Sequence, residues 1–379
     1  MRTGLAFLLM AAACAAVASA GTVNIGPIRT KSITFAIIGG GLEQLKVAEL
    51  MDGVCAERGC QFVVNTGENV YNSRDRKALR GLKWLNSLGN HDVLGLKSGV
   101  DAQIAYQSKN PKWILPARYY NADVASAATS VRFHVAHTSC FVKKYRKSGN
   151  SYNTDEILAC SSEQAVAAQL SFLNQSMASS TAQWNIIIGH HPAVSGAGTS
   201  YFDPAEAPAT ADGWAPLAQL VKKYGPAAWL NGHDHTMSFQ YAPEASTSLG
   251  SSIPLCFPNT GFYTSGAGSW PQAGDGGHGL ETGPYSWQKW ANADLLTGTA
   301  WSGFAVATVD AQKMVVDYFS VNSGRSVPLR VTTYKGKAPI VEFAPAGLLS
   351  VRLPNTVQMN TDPNGDGVGN EYVQFKRRA

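Results

Sequence analysis

Five of the chain's eight histidines fall in three short runs, and each run follows an apolar stretch of strand character. The runs are Gly89-Asn90-His91-Asp92, Gly189-His190-His191-Pro192 and Gly232-His233-Asp234-His235. In an open α/β sheet the loops beyond the carboxyl ends of the strands converge on one crevice. Asn and His side chains repeated at that place point to an α/β fold that gathers nitrogen and oxygen ligands, the donor set of a dinuclear metal site.

Strands and helices alternate through the first two thirds of the chain. The β-branched run 32–38 ends in three glycines, and 45–55 carries apolar residues at helical spacing. A second strand is expected at 61–65 and a third at 131–137. In 162–177, Val166, Leu170, Leu173 and Met177 mark one helix face. A buried strand over 184–188, a helix over 214–224 and a short strand over 227–230 follow. The glycine-rich stretch 261–284 reads as a long loop. Segments 304–309 and 314–319 read as a β-hairpin. The expected organisation is a domain over 31–324 followed by a strand-rich extension over 325–379.

Charged residues make up 15% and hydrophobic residues 45% of the 379, so the chain can bury a sizeable core. A net charge of +5 from scattered basic residues gives a mildly basic surface, and no nucleic-acid partner is expected. Arg2, the apolar run 5–17 and Ala18-Ser19-Ala20 form a signal-peptide pattern over residues 1–20. No later stretch is apolar enough to span a bilayer, so a secreted or lumenal protein (extracellular, vacuolar or lysosomal) is expected. In an oxidising compartment the cysteines are expected to pair as Cys55–Cys60 and Cys140–Cys160, leaving Cys256 as a buried thiol. Asn174-Gln175-Ser176 is a glycosylation acceptor.

Two metal ions a few ångströms apart can bind a phosphate ester, activate water and stabilise the leaving oxygen. Such a site needs a bridging carboxylate, imidazoles, and neutral or phenolic oxygens. The three histidine runs supply part of this set, and Gly67-Glu68-Asn69-Val70-Tyr71 adds a carboxylate and a phenol.

With these residues in place, the chain resembles the calcineurin-like metallophosphoesterases, specifically the purple, tartrate-resistant acid phosphatase type. That family's motifs occur in order as Gly39-Gly40-Gly41-Leu42, Gly67-Glu68-Asn69-Val70-Tyr71 and the three histidine runs. Lys112 to Tyr120 and Ser265-Gly266-Ala267-Gly268 add to the likeness. The resemblance implies a four-layer αββα sandwich of two mixed sheets flanked by helices. It implies a dinuclear centre of iron with iron, zinc or manganese. Glu68 would bridge, Asn90, His190 and His233 would serve one metal, and Tyr71 and His235 the other. It also implies hydrolysis of phosphomonoesters by a metal-bound hydroxide. His91 would protonate the leaving group, Asp92 would orient His91, and His191 would face the phosphate or stand behind the ligands.

Three departures qualify this. Gly40 stands where the family has a metal-binding Asp, Glu68 is one methylene longer than the usual Asp, and the 72–88 connection is short. Glu43 is a candidate replacement carboxylate. These departures leave room for a centre with one metal, and for an alternative: a catalytically inactive scaffold or binding protein with a protein partner. If lost charge is the lesion, Gly40→Asp with Glu68→Asp is expected to raise metal content and rate. His134 and His137 read as ordinary strand histidines and His278 as exposed.

Overall fold

The structure is a computed structural model. It describes residues 21–40, 45–69, 81–94, 98–194, 201–202, 211–241, 257–268, 288–290, 302–321, 323–343 and 351–352. Two mixed sheets lie at its centre. The first has eight strands in the order Thr22–Pro27, Tyr120–Ala125, Ser130–Ala136, Trp184–Gly189, Ala228–Asn231, Gly261–Ser265, Met237–Tyr241 and Gln288–Trp290. The second has nine, in the order Val351–Arg352, Ile340–Phe343, Leu329–Tyr334, Lys313–Ser320, Gly303–Val309, Ile33–Ile38, Phe62–Asn65, Lys83–Asn86 and Trp113–Ile114.

The strand Ile33–Ile38 shows why the layers form. All six residues are buried, and successive side chains point to opposite faces. Ile33, Phe35 and Ile37 enter the core between the sheets. Ala36 and Ile38 face the other way, onto Val47, Met51 and Val54 of the helix Leu45–Arg58. Between the sheets Phe35 stacks on Phe62 at 5.1 Å, and the edge of Phe133 from the first sheet meets both at 5.3 and 5.8 Å. The outer side of the first sheet is covered by the helix Glu163–Ala178, which buries Val166, Leu173 and Met177. Ser162 caps that helix by accepting the Ala165 N–H. The helix Ala211–Tyr224 packs beside it. The architecture is the αββα sandwich that the motifs imply.

Parallel pairing fixes where the loops go. Ile33–Ile38, Phe62–Asn65 and Lys83–Asn86 run parallel in one sheet, and Ser130–Ala136, Trp184–Gly189 and Ala228–Asn231 run parallel in the other. Their carboxyl ends lie on one edge of the sandwich.

One expectation is corrected. Residues 261–265, read as the start of a long loop, form a buried strand between Ala228–Asn231 and Met237–Tyr241. The glycine content hid Phe262 and Tyr263, which fill the core. Beyond residue 325, Leu329–Tyr334 and Ile340–Phe343 continue the second sheet. Cys55–Cys60 and Cys140–Cys160 are disulfides. Residues 1–20, Cys256 and His278 lie outside the described residues.

Candidate metal centre

The chain leaves Phe62–Asn65 through Thr66-Gly67-Glu68, and Glu68 turns inward with φ 62°. Gly67 makes this possible. A Cβ there would stand 2.6 Å from His190 Nδ1 and 2.8 Å from the Gly89 nitrogen, so only glycine lets the three loops close. From Lys83–Asn86 the chain passes Gly89 to Asn90 and a short 3₁₀ turn, His91–Val93. His190 and His191 follow Trp184–Gly189, and Gly232-His233 follow Ala228–Asn231. His233 also has a left-handed backbone, φ 65°. Glu68 and His233 are the non-glycine residues in that region among those described, each at a cost of about 1–3 kcal/mol that the surrounding fold must hold.

Glu68 is 1% exposed, and its extra methylene does not turn it away from the cluster. Its Oε1 lies 3.6 Å from His190 Nε2 and 3.8 Å from His91 Nε2, and its Oε2 lies 3.6 Å from His235 Nε2. Burial pushes the Glu68 carboxyl up, but His235, His190 and His91 together outweigh this and hold it below the usual range. Its Oε2 is buried without a hydrogen bond.

The three donors on the other side are arranged more tightly. Asn90 Oδ1 is 2.6 Å from His190 Nε2 and 3.0 Å from His233 Nδ1. His190 Nδ1 is 2.9 Å from the Thr66 carbonyl, which can only accept, so Nδ1 carries the proton and Nε2 keeps its lone pair. Burial pushes His190 and His233 below the ordinary imidazole range and keeps both neutral, the form in which a histidine binds a metal. A lone-pair nitrogen and an amide oxygen 2.6 Å apart repel unless a cation lies against both. The donor set, with Glu68 Oε1 3.6 Å from His190 Nε2, therefore fits a divalent metal at Asn90, His190, His233 and Glu68.

The remaining residues take distinct places. Asp92 Oδ2 accepts the backbone N–H groups of Gly89 and Glu68, both at 2.8 Å, so this carboxylate ties the two ligand-bearing loops together. Burial pushes its pKa up to about 7. His191 is fully buried and engaged at both nitrogens, by Thr138 Oγ1 at 2.8 Å and Tyr145 Oη at 3.0 Å. Its ring packs 4.5 Å from that of His233. His91 is partly exposed at the mouth of the cluster. Tyr152, which no sequence pattern singled out, reaches both Asn90 and His91 with its hydroxyl. Tyr71 and Glu43 lie outside the described residues. His134 is held between Ser176 Oγ and Asn185 Oδ1, and His137 lies against the Cys140–Cys160 disulfide. Asn174, on the helix Glu163–Ala178, accepts from the Tyr224 hydroxyl.

Gly40 is not simply a position lacking a carboxylate. Its φ is 77°, and a Cβ there would meet the Gly266 carbonyl oxygen at 2.6 Å and Glu68 Oε2 at 3.6 Å.

The family model for calcineurin-like phosphoesterases matches residues 43–237, about half of the chain, and covers most of these residues. The chain belongs to the calcineurin-like phosphoesterase family. Among curated relatives, purple acid phosphatase 17 of Arabidopsis thaliana is 27% identical over 267 residues, spanning 64% of this chain and 70% of the relative. Human tartrate-resistant acid phosphatase type 5 is 27% identical over 267 residues, spanning 69% of this chain and 70% of the relative. Among solved structures, GAP50, described as the anchor in the inner membrane complex of Plasmodium, superposes with a TM-score of 0.56 at 18% identity, covering 81% of this chain and 90% of that one. Purple acid phosphatase PPD1 from yellow lupin (Lupinus luteus) seeds gives 0.50 at 16% identity, covering 82% and 55%. At these identities the structural likenesses speak for the fold alone. The purple acid phosphatase relatives imply a dinuclear metal site. Among the described residues no helix is long and apolar enough to cross a membrane.

Proposed function

We propose that the chain is a metal-dependent phosphomonoesterase of the acid phosphatase type, secreted or lumenal, acting through the cluster around Glu68. The observation that carries this reading is the meeting of Asn90 Oδ1, His190 Nε2 and His233 Nδ1 beside a buried carboxylate. Those four residues would hold one metal, and His235 with the opposite oxygen of Glu68 would face a second, with Tyr71 as its third ligand. Bound there, iron, zinc or manganese would lower the pKa of water and neutralise phosphate charge. His91 stands at the open side of the cluster, where it would donate a proton to the departing alcohol. His191 would fix the His233 ring by packing. Asp92 would act at one remove, by holding the Glu68 and Gly89 backbones.

A non-catalytic binding role is the second reading, and Gly40 favours it, because its backbone leaves no room for the carboxylate that the family's second metal uses. The two readings part on one assay. The purified, oxidised protein is supplied with iron, zinc or manganese and given a chromogenic phosphomonoester and the matching diester at mildly acidic pH. The first reading expects turnover of the monoester, faster than the diester. A protein that binds metal yet hydrolyses neither sustains the second.

A further inference from the structure

The metal reading leaves one question about Asn90 open. An Asn side chain can present either its oxygen or its NH₂ group to the cluster, and only the oxygen binds a cation. We infer that Tyr152 makes this choice. Its hydroxyl oxygen accepts the Asn90 Nδ2–H at 2.8 Å, which turns Oδ1 inward toward His190 and His233. The same hydroxyl lies 3.3 Å from His91 Nε2, and in the tautomer that leaves this nitrogen unprotonated its hydrogen goes to that lone pair. Turning the amide over would place Oδ1 against the hydroxyl and draw its hydrogen away from His91. One hydroxyl thus couples the orientation of a metal ligand to the tautomer of the proposed proton donor.

Tyr152 is built to hold this place. Its ring packs against Tyr145 at 4.6 Å, and the edge of the His91 ring meets it at 5.8 Å. Its backbone N–H donates to Asn150 Oδ1 at 2.9 Å. The segment carrying both tyrosines is closed on itself by Cys140–Cys160. Tyr145 anchors the segment a second time through His191. The disulfide-closed segment 140–160 therefore acts as a brace that fixes Asn90 from outside the ligand set, and Tyr152 is its positioning residue. Groups that orient a metal ligand in this way change metal affinity without touching the metal.

The inference rests on the metal reading, and its test separates the two. Zinc affinity of the full oxidised chain is measured by chelator competition for wild type, Tyr152→Phe, Asn90→Asp and the double variant. Tyr152→Phe keeps the ring packing and should weaken zinc by about 10–100-fold, and it should also lower the urea midpoint of the metal-free protein, because it strands the buried Asn90 Nδ2–H. In the Asn90→Asp background both side-chain oxygens are equivalent and nothing needs choosing, so the same substitution should cost less than about 3-fold. Wild type that takes up none of zinc, iron and manganese refutes the metal reading and this inference together. Wild type that binds one of them, with Tyr152→Phe equal to it or equally damaging in both backgrounds, refutes this inference alone.

Discussion

Restoring the missing carboxylate is the obvious repair of the first motif, and the structure predicts that Gly40→Asp damages the protein. Any side chain at Gly40 must adopt φ 77°, which costs an L-residue about 1–2 kcal/mol. Its Cβ would also meet the Gly266 carbonyl oxygen at 2.6 Å, and a backbone atom cannot rotate aside. Overpacking of this kind costs about 1–3 kcal/mol, so the loss should total about 2–5 kcal/mol. Gly40→Ala carries the same Cβ without charge and should lose about as much, which separates backbone strain from electrostatics. Adding Glu68→Asp shortens the facing carboxylate, which lies 3.6 Å from the Cβ position, but leaves the Gly266 contact unchanged. The pair should therefore not raise metal content, contrary to what lost charge alone would suggest. The assay is urea unfolding of metal-free Gly40→Ala and Gly40→Asp beside metal analysis of the double variant. Stability within about 0.5 kcal/mol of wild type, the range of a neutral surface change, would refute the reasoning.

Three further outcomes follow from named contacts. Asp92→Ala strands the N–H groups of Gly89 and Glu68 and should cost about 2–4 kcal/mol, while Asp92→Asn, which keeps an acceptor, should recover most of it in urea unfolding. Burial holds His134 down to about 4, against 6.5 for the free side chain, so the unfolded chain gains this proton first. The stability it confers is complete above pH 6.5, declines by about 3 kcal/mol as pH falls to 4, and levels off below. Its imidazole NMR shifts should stay those of the neutral ring down to about that pH, and titration near 6.5 would contradict the assignment. Phe62→Ala removes the ring that stacks on Phe35 and meets Phe133 edge-on, and should cost about 3–5 kcal/mol in the same unfolding assay.

The parts of this fold that were legible in the sequence are those with local causes. Ile33–Ile38 and Trp184–Gly189 are buried throughout, so their apolar runs mark them directly. The histidine runs sit one turn beyond such strands, and topology brings them together without further instruction. Gly261–Ser265 was not legible because its place between two distant strands is a long-range choice, made by core packing of Phe262 and Tyr263. Within the site the same division holds. His190, His233, Asn90 and Glu68 announce themselves by type and spacing. The Thr66 carbonyl that sets the His190 tautomer is backbone, and Tyr152 comes from a loop 62 residues beyond Asn90, so neither leaves a local pattern. Asp92 Oδ2 holds the backbone N–H groups of Gly89 and Glu68, a contact that no motif spells out. At Gly40 the sequence registers an absent charge, whereas the backbone registers a left-handed turn closed by Gly266.

The central claim is that Asn90, His190, His233 and Glu68 hold a metal on which phosphomonoester hydrolysis depends. It is tested most directly by measuring metal content and hydrolysis rate on the same samples of wild type and His190→Ala. The account predicts at least one metal per wild-type chain, and for the variant metal loss with a rate at least about 100-fold lower, beyond the range for residues that only support a ligand. Equal metal content, or equal rates in the two proteins, would contradict it.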